Sequence, residues 1–466
     1  SYFKNAVGLK TEENILIIGA GLCGSLLALR LGQRGYNVRV MERRSDLRKE
    51  DISTGRSINL ALSNRGIKAL KMVGLENKVK SLCIPMHGRM LHDKSGNTKL
   101  SKYSGRDGEY INSISRELLT ALLIDEAEAL ENVSFEFHQK CDAIDFENNI
   151  ARFKNSKNGT ALDCEANRIF GTDGAGSILR KSYLSKRKFL FSFSQNFLTH
   201  GYKELTIPAK KGGGYKTEKN ALHIWPRGDY MIIALPNLDG SFTVTLFLAY
   251  EGGTYNFNNL DSADKVQNFF SKEFPDTLEL MPDLTSEFFK NPTAPLGTIK
   301  CFPWQYQGKN LILGDAAHAI VPFYGQGMNA SFEDVFEFDA ALEAHKGNWE
   351  ATFISFQQKR KKDTDGIADL AIDNFHEMKD HVANPVFQQK RTLEMALETA
   401  LPNTYFSKYS MVTFREDMGY NQAMLLGRAQ DKAILEMIEK KQLDLELPIV
   451  ELHEKIKAET NSILKR

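Results

Sequence analysis

Residues 14–20 (NILIIGA) form a short, isoleucine-rich apolar run closed by glycines, the pattern of a buried parallel strand. Leucines then recur at helical spacing over 22–34, and Gly35 is positioned to stop that helix. Residues 37–42 (NVRVME) alternate and predict the next strand. Strand, glycine turn, helix and strand within about 30 residues make a βαβ unit. Farther on, 116–131 predicts a helix with Leu118, Leu119, Leu122, Leu123 and Ala127 on one face, followed by strands at 134–138, 143–146 and 151–154. From Tyr202 to Tyr250 the period changes to two. Runs at 202–207, 221–225, 230–235 and 242–250, separated by Gly-, Pro- and Asn-rich turns, predict an antiparallel sheet. Residues 309–313 predict another buried strand, ending in Gly-Asp. Beyond about residue 328 the pattern is helical to the end, with breaks near Pro385, Pro402 and Pro448. The predicted fold class is α/β: a Rossmann-like unit, an antiparallel β-sheet unit and a C-terminal helical region.

Composition narrows the function classes. A chain of 466 residues exceeds the roughly 100–200 usual for one domain, so two or three domains are expected. With 42% hydrophobic and 26% charged residues it is neither disordered nor fibrous. Sixty basic residues balance 59 acidic ones, which leaves no electrostatic footprint for nucleic acid. No apolar stretch reaches the roughly 18 residues of a membrane span, and residues 1–13 lack the order of a signal peptide. Five scattered cysteines without a C-x-x-C pair argue against a disulfide framework or zinc site and for a reducing, cytoplasmic setting. No metal centre is expected; His87 and His92 are spaced poorly for one and read as structural or surface residues. No G-x-S-x-G elbow or G-x-x-x-x-G-K-[ST] loop is present, and Gly212, Gly213 and Gly214 read as a hairpin connection.

The chemistry starts at Gly19-Ala20-Gly21-Leu22-Cys23-Gly24, a G-x-G-x-x-G motif between a predicted strand and helix. Its first glycine permits the tight turn, its second lets the backbone approach a pyrophosphate, and its third brings helix and strand together. Glu42 ends the second strand, where a carboxylate can accept hydrogen bonds from a ribose hydroxyl. An adenine dinucleotide is expected here; the fingerprint alone does not say which one.

Two further segments bear on that choice. Gly171-Thr172-Asp173-Gly174, with Ser177 and Arg180, resembles the Asp-Gly motif of FAD-dependent aromatic hydroxylases of the p-hydroxybenzoate hydroxylase type. Leu313-Gly314-Asp315-Ala316-Ala317-His318, with Pro322 beyond it, resembles their Gly-Asp motif. Either alone reads first as a turn or a helix cap. Longer stretches resemble the kynurenine 3-monooxygenase family in particular: 56–61 (RSINLA) with Arg65-Gly66, 87–90 (HGRM), 111–116 (INSISR), 222–226 (LHIWP), 241–247 (SFTVTLF), 322–329 (PFYGQGMN) and 409–414 (YSMVTF). The resemblance runs from about residue 14 to about residue 430.

That resemblance implies FAD as cofactor and NADPH as co-substrate. It implies hydroxylation of L-kynurenine at C3 of the ring by O2 through a C4a-hydroperoxyflavin, with no catalytic side chain because the flavin carries the chemistry. It places FAD contacts at Gly19, Gly21, Leu22, Gly24, Glu42, Arg43, Arg44, Ala61, Arg116, Asp173, Asp315, Gly327, Met328 and Asn329, with a helix starting near Gly325 aimed at the flavin ring. The substrate carboxylate falls to Arg89, Tyr103, Asn374 and Tyr409, a set suited to it because a guanidinium fork donates two hydrogen bonds at once. The apolar pocket falls to Leu222, Met231, Ile233, Leu235, Phe247, Pro322 and Phe323. The strand positions among these keep even spacing, so each set shares one sheet face, though from pattern alone they fit a plain core as well. The role of Tyr324 stays open. Domain boundaries follow: an FAD-binding domain from 1–80, 105–185 and 299–375, substrate-sheet strands at 81–104, an antiparallel sheet domain at 186–298, and a helical region at 376–466. The tail, ETNSILKR, lacks the membrane helix of mitochondrial relatives, so a soluble bacterial form without a membrane anchor is expected. The alternatives are a related flavin hydroxylase acting on another aromatic acid, or a non-hydroxylating regulatory flavoprotein.

Overall fold

The computed structural model describes residues 13–50 and 58–466, and at 379–383 the backbone only. Arg56 and Ser57 of the 56–61 motif lie outside the described residues.

The opening apolar run is β1 (Asn14–Ile18), whose side chains after Asn14 are all buried. It ends two residues early, because Gly19 takes φ +102° and turns the chain toward helix α1 (Leu22–Gln33). β1 lies between β2 (Asn37–Met41) and β12 (Arg168–Gly171), parallel to both. β8 (Val133–Glu136) continues the sheet beyond β2, and β19 (Asn310–Ile312) beyond β12, again in parallel. β18 (Gln305–Tyr306) closes that edge as the antiparallel member. Buried leucines of α1 and of α3 (Arg116–Glu128) share one large core with this sheet. The α3 stripe centres on Leu119, Leu123 and Ala127 with Ile124, leaving Leu118 and Leu122 half-buried. A three-stranded antiparallel sheet, β9 (Gln139–Asp145), β10 (Ile150–Asn155) and β11 (Ala161–Glu165), is attached between β8 and β12. Another small sheet pairs β3 (Asn59–Leu62) and β4 (Cys83–Met86) with the central β7 (Ile111–Ser115).

The period-two region builds a seven-stranded sheet in the order β17 (Ala294–Phe302), β13 (Ser192–Ile207), β16 (Phe242–Ala249), β15 (Met231–Pro236), β14 (Leu222–Pro226), β5 (Gly88–His92) and β6 (Thr98–Lys102). Every pair is antiparallel except β14 and β5, which run parallel because β5 arrives from a distant part of the chain. The glycines at 212–214 are not a hairpin connection. They sit in a tight turn between β13 and β14, which are not neighbours in the sheet. One face of the sheet carries Trp225, Ile232, Ala234, Val244 and Leu246 into a separate core with Phe269 and Phe270.

The C-terminal helices include α4 (Gly327–Ala344), α5 (Trp349–Ala383), α6 (Pro385–Ala400), α7 (Lys408–Thr413), α8 (Tyr420–Glu439) and α9 (Ile449–Leu464). α4 begins two residues beyond the expected start: Gly325 adopts φ +66° to end a short turn at 322–324, and a helix cannot run through that conformation. Pro385 opens α6, with Asn384 capping it. Among the described residues no helix is long and apolar enough to cross a membrane.

Candidate functional site

The glycine loop has the shape of a phosphate cradle. A Cβ at Gly24 would stand 2.0 Å from the carbonyl oxygen of Gly19, so only glycine lets α1 approach the loop this closely. At Gly21 a Cβ would meet nothing within 4 Å: that side of the loop is open. Gly21 is also the N-cap of α1, with no side chain capping the helix and no acid in its first turn. Leu22 is buried at the head of α1. Glu42 accepts from the amides of Ala20 (3.0 Å) and Arg44 (2.8 Å), fixing the loop to the end of β2, while Arg43 and Arg44 project outward.

The Asp-Gly and Gly-Asp motifs close on this loop from the other side. The Thr172 hydroxyl lies 3.0 Å from the carbonyls of both Ile18 and Gly19. Asp173 accepts from the amide of Ile178 at 2.8 Å through Oδ2, whereas its buried Oδ1 has no partner. Burial pushes the Asp173 carboxyl up, more than Ser177 and the Ile178 amide pull it down. Arg180 ties the motifs together by donating to the Ala316 carbonyl at 3.0 Å. Asp315 opens onto solvent, yet protein surrounds it closely enough for desolvation to push its carboxyl up. Beneath it, Asp334 accepts from the Gly314 amide at 2.8 Å and from Arg360 Nε at 2.8 Å. Asn329 does not point outward: its Oδ1 accepts from the Ser63 amide and its Nδ2 donates to the carbonyls of Ala61 and Gly325. It braces the α4 N-terminus against β3. That terminus, like that of α1, has no side-chain cap. Two uncapped helix N-termini, an open glycine loop and an orphaned buried carboxylate oxygen fit an anionic dinucleotide such as FAD.

All eleven expected substrate residues line one cavity of ≈ 1560 Å³, together with Ala61, Arg116, Gly327 and Met328 from the cofactor set. The glycine loop, Glu42, Asp173 and Asp315 are not on its wall. The sheet contributes Leu222 from β14, Met231, Ile233 and Leu235 from β15, and Phe247 from β16, the even-spaced face opposite the Trp225 core. Phe323 packs on Phe247 at 5.0 Å between ring centroids, and Pro322 lies next to it on the wall. At the far end the Arg89 guanidinium sits 5.1 Å from the Tyr103 ring and 4.3 Å from the Tyr409 ring. Tyr103 is buried, its hydroxyl 3.3 Å from the Gly88 carbonyl, and burial pushes its phenol up. Asn374 donates to the Phe323 carbonyl at 2.6 Å, joining α5 to the apolar end. Among the described residues Arg89 forms no ion pair, so the cluster presents uncompensated positive charge framed by aromatic rings.

Other wall residues were given no role by the sequence. Ile224, Thr243 and Thr245 keep the same even spacing and were recoverable from it. Tyr324, stacked on Tyr409 at 6.0 Å, and the largely enclosed group of Lys390, Lys408, Glu377 and Asp431 depend on how α5, α6, α7 and α8 pack, which no local pattern reports. Lys408 bridges Glu377 at 3.2 Å and Asp431 at 2.7 Å, holding the helical side of the cavity together. His92 and His223 are both buried and 2.8 Å apart, and His92 stacks on Trp225 at 4.0 Å between ring centroids while also reaching the cavity wall.

Residues 12–189 and 280–354 match the family model described as an FAD binding domain. The chain is 44% identical over 428 residues to a kynurenine 3-monooxygenase of Myxococcus xanthus, covering 92% of this chain and 91% of that protein. It is 41% identical to one from Dictyostelium discoideum, covering 92% and 93%. Among solved structures it superposes on the tetrameric form of 2-methyl-3-hydroxypyridine-5-carboxylic acid oxygenase with a TM-score of 0.62 at 21% identity, covering 84% and 98%. It also superposes on Pseudomonas aeruginosa PqsL in complex with 2-aminobenzoylacetate, with a TM-score of 0.64 at 18% identity, covering 79% and 97%. These two structural matches speak for the fold.

Proposed function

The chain belongs to the kynurenine 3-monooxygenase family of FAD-binding proteins, and on that premise we propose that it hydroxylates L-kynurenine at C3 of the aromatic ring. The reaction is L-kynurenine + NADPH + H⁺ + O2 → 3-hydroxy-L-kynurenine + NADP⁺ + H2O. FAD, held by the residues named below, would supply the redox and oxygen-transfer chemistry of this reaction. What carries the reading is one cavity wall shared by the uncapped α4 N-terminus and the Arg89–Tyr103–Tyr409 cluster, with apolar sheet residues between them.

In this reading Arg89 holds the α-carboxylate, with Tyr103, Tyr409 and Asn374 completing its shell. Leu222, Met231, Ile233, Leu235, Phe247, Pro322 and Phe323 enclose the aromatic ring and keep water from the reacting carbon, which suppresses release of hydrogen peroxide. The first-turn amides of α4 favour negative charge at the flavin-facing end. Gly19, Gly21, Leu22, Gly24, Glu42, Arg43, Arg44 and Asp173 cradle the nucleotide and pyrophosphate; Ala61, Arg116, Asp315, Gly327 and Met328 hold the remainder of FAD, and Asn329 serves indirectly by bracing the α4 N-terminus. No side chain acts as nucleophile or base. The same proposal assembles the FAD-binding domain from 1–80, 105–185 and 299–375, and places the protein in the cytoplasm, where its free cysteines stay reduced.

The test is NADPH oxidation by the purified FAD protein with and without L-kynurenine, with product mass and peroxide measured in parallel. Faster oxidation with kynurenine and a product heavier by one oxygen are expected. Equal rates, or peroxide with no oxygenated product, refute the reading.

A further inference from the structure

Tyr409 lies on α7, a helix of only six residues, and its position depends on how that helix is anchored. A short helix leaves its last carbonyls unsatisfied, and buried carbonyls need donors. Here they come from a side chain nearly 350 positions away. Arg65, at the start of α2 (Asn64–Met72), donates from Nε to the Val412 carbonyl at 2.7 Å. Its Nη2 donates to the carbonyls of Met411 and Arg415, both at 3.1 Å. Its remaining nitrogen, Nη1, lies 3.2 Å from Glu333 Oε2, on α4. Arg65 is 0% exposed, and its bonds to the Val412 and Met411 carbonyls are buried with it.

The surrounding residues tie the same two elements together. The Tyr420 ring lies 4.1 Å from the Arg65 guanidinium, and the Tyr420 hydroxyl donates to Gln326 Oε1 at 2.7 Å. Gln326 is the N-cap residue of α4 and donates to the Ser63 hydroxyl at 3.2 Å. The Ser63 amide donates to Asn329, and Asn64 donates to the Phe414 carbonyl at 3.2 Å. Residues 63–65 therefore join the C-terminal end of the Tyr409 helix to the N-terminal end of α4.

We propose that Arg65 is a positioning residue that locks the Tyr409-bearing helix to the flavin-facing end of α4, so that substrate seating and the flavin floor move as one unit. The proposal rests on the reading of Tyr409 as a substrate contact and of the α4 N-terminus as facing the flavin. Arginine suits the task because its fork reaches three carbonyls and a carboxylate at once; the point charge of a lysine cannot.

The deciding variant is Arg65→Lys in the FAD-loaded enzyme, which keeps a cation opposite Glu333 and loses the fork. KM for L-kynurenine should rise roughly tenfold, the equivalent of one charge-assisted hydrogen bond, and the share of NADPH oxidised to peroxide should rise with it. FAD content should stay at the wild-type level. Phe270→Leu, in the separate core behind the sheet, serves as a stability control: its melting temperature should fall while KM and peroxide share stay unchanged. Wild-type KM and peroxide share in Arg65→Lys overturn the proposal. So does a parallel loss of FAD, which marks a cofactor-holding role, or an equal rise in the control. Should Arg65→Lys fail to fold, Asn64→Ala decides, with a smaller rise of the same kind expected and no rise overturning it. Hydrogen exchange at amides 409–416 reads the anchoring without substrate: faster exchange in the variant supports the lock, and unchanged exchange refutes it. Wild-type hydroxylation is scored first, so a failure of the functional reading is seen separately.

Discussion

Replacing Arg89 with alanine tests the substrate reading at the point where the cavity is most specific. The guanidinium stands over Tyr103 and Tyr409 at 5.1 and 4.3 Å, contacts worth about 0.5–1 kcal/mol each at a partly exposed site. They exist with or without substrate, so they orient the fork rather than add to affinity. On the proposed reading the affinity comes from the bond to a carboxylate, about 1.5–3 kcal/mol for a charge-assisted pair. Arg89 is half-buried, which places it toward the lower part of that range, near 2 kcal/mol, or about 30-fold in Kd. Arg89→Ala should therefore bind L-kynurenine about 30-fold more weakly, read as the ligand-induced change in flavin absorbance during titration. FAD content should not change, because no contact of Arg89 reaches the glycine loop. Arg89→Lys should recover part of the loss, since a cation remains while the planar fork does not. The decarboxylated amine analogue of kynurenine should bind wild type and Arg89→Ala alike. Affinity within about twofold of wild type in Arg89→Ala, or an equal loss for the analogue, would remove Arg89 from carboxylate binding.

Other outcomes follow from the same geometry. Gly21→Ala should fold normally and lose FAD affinity, by about tenfold or more, because its Cβ enters the open side of the cradle; Gly24→Ala, meeting a carbonyl oxygen at 2.0 Å, should lose stability even without FAD. Equal melting temperatures for the two apo variants would refute that distinction. His223 supplies a pH effect. Burial, with His92 adding to it, lowers its pKa to about 4, below the unfolded value of about 6.5. The folded state thus prefers the neutral ring, and its contribution, up to about 3 kcal/mol, is fully present above pH 6.5 and lost as pH falls through 4. Urea unfolding between pH 7 and pH 4 should show wild type losing more stability than His223→Gln; parallel curves would contradict the assignment.

The parts of the molecule legible in the sequence are those where one segment carries its own signal. The βαβ unit showed itself because β1, the glycine loop and α1 are contiguous, and each glycine has a local steric reason. The strands β14, β15 and β16 were legible from alternation, and the same alternation divides Ile233 on the cavity wall from Ile232 in the opposite core. β11 escaped because its few apolar residues sit in a short, charged stretch, and β12 because its four residues, RIFG, are too few to show a period. The parallel pairing of β5 with β14 escaped because nothing in either strand records a partner more than a hundred residues away. Arg89, Tyr103, Asn374 and Tyr409 are ordinary residues by any local pattern, and only family resemblance brought them forward as a set.

That division has a physical cause which bears on how the site works. The cofactor cradle is made of backbone, so its requirements are steric and appear as glycines at fixed offsets. The proposed substrate end is made of side chains from β5, β14, β15, β16, α5 and α7, so its geometry exists only once distant elements are docked. If no side chain is catalytic, as proposed, the site depends on that docking more than one with a general base, because its contribution is enclosure and orientation. The buried polar groups that do the docking should then control coupling of NADPH use to hydroxylation more strongly than they control turnover. Lys408 is the counterpart of Arg65 on this argument: it anchors the N-terminal end of α7 through Glu377 and Asp431, as Arg65 anchors the C-terminal end. Lys408→Met removes the cation that Glu377 and Asp431 share and leaves only Lys390 on Asp431, so the N-terminal end of α7 should loosen and Tyr409 lose its fixed position. Peroxide release should rise while the rate of NADPH oxidation with kynurenine falls less, and a variant that hydroxylates with wild-type coupling would show that α7 needs no such anchor.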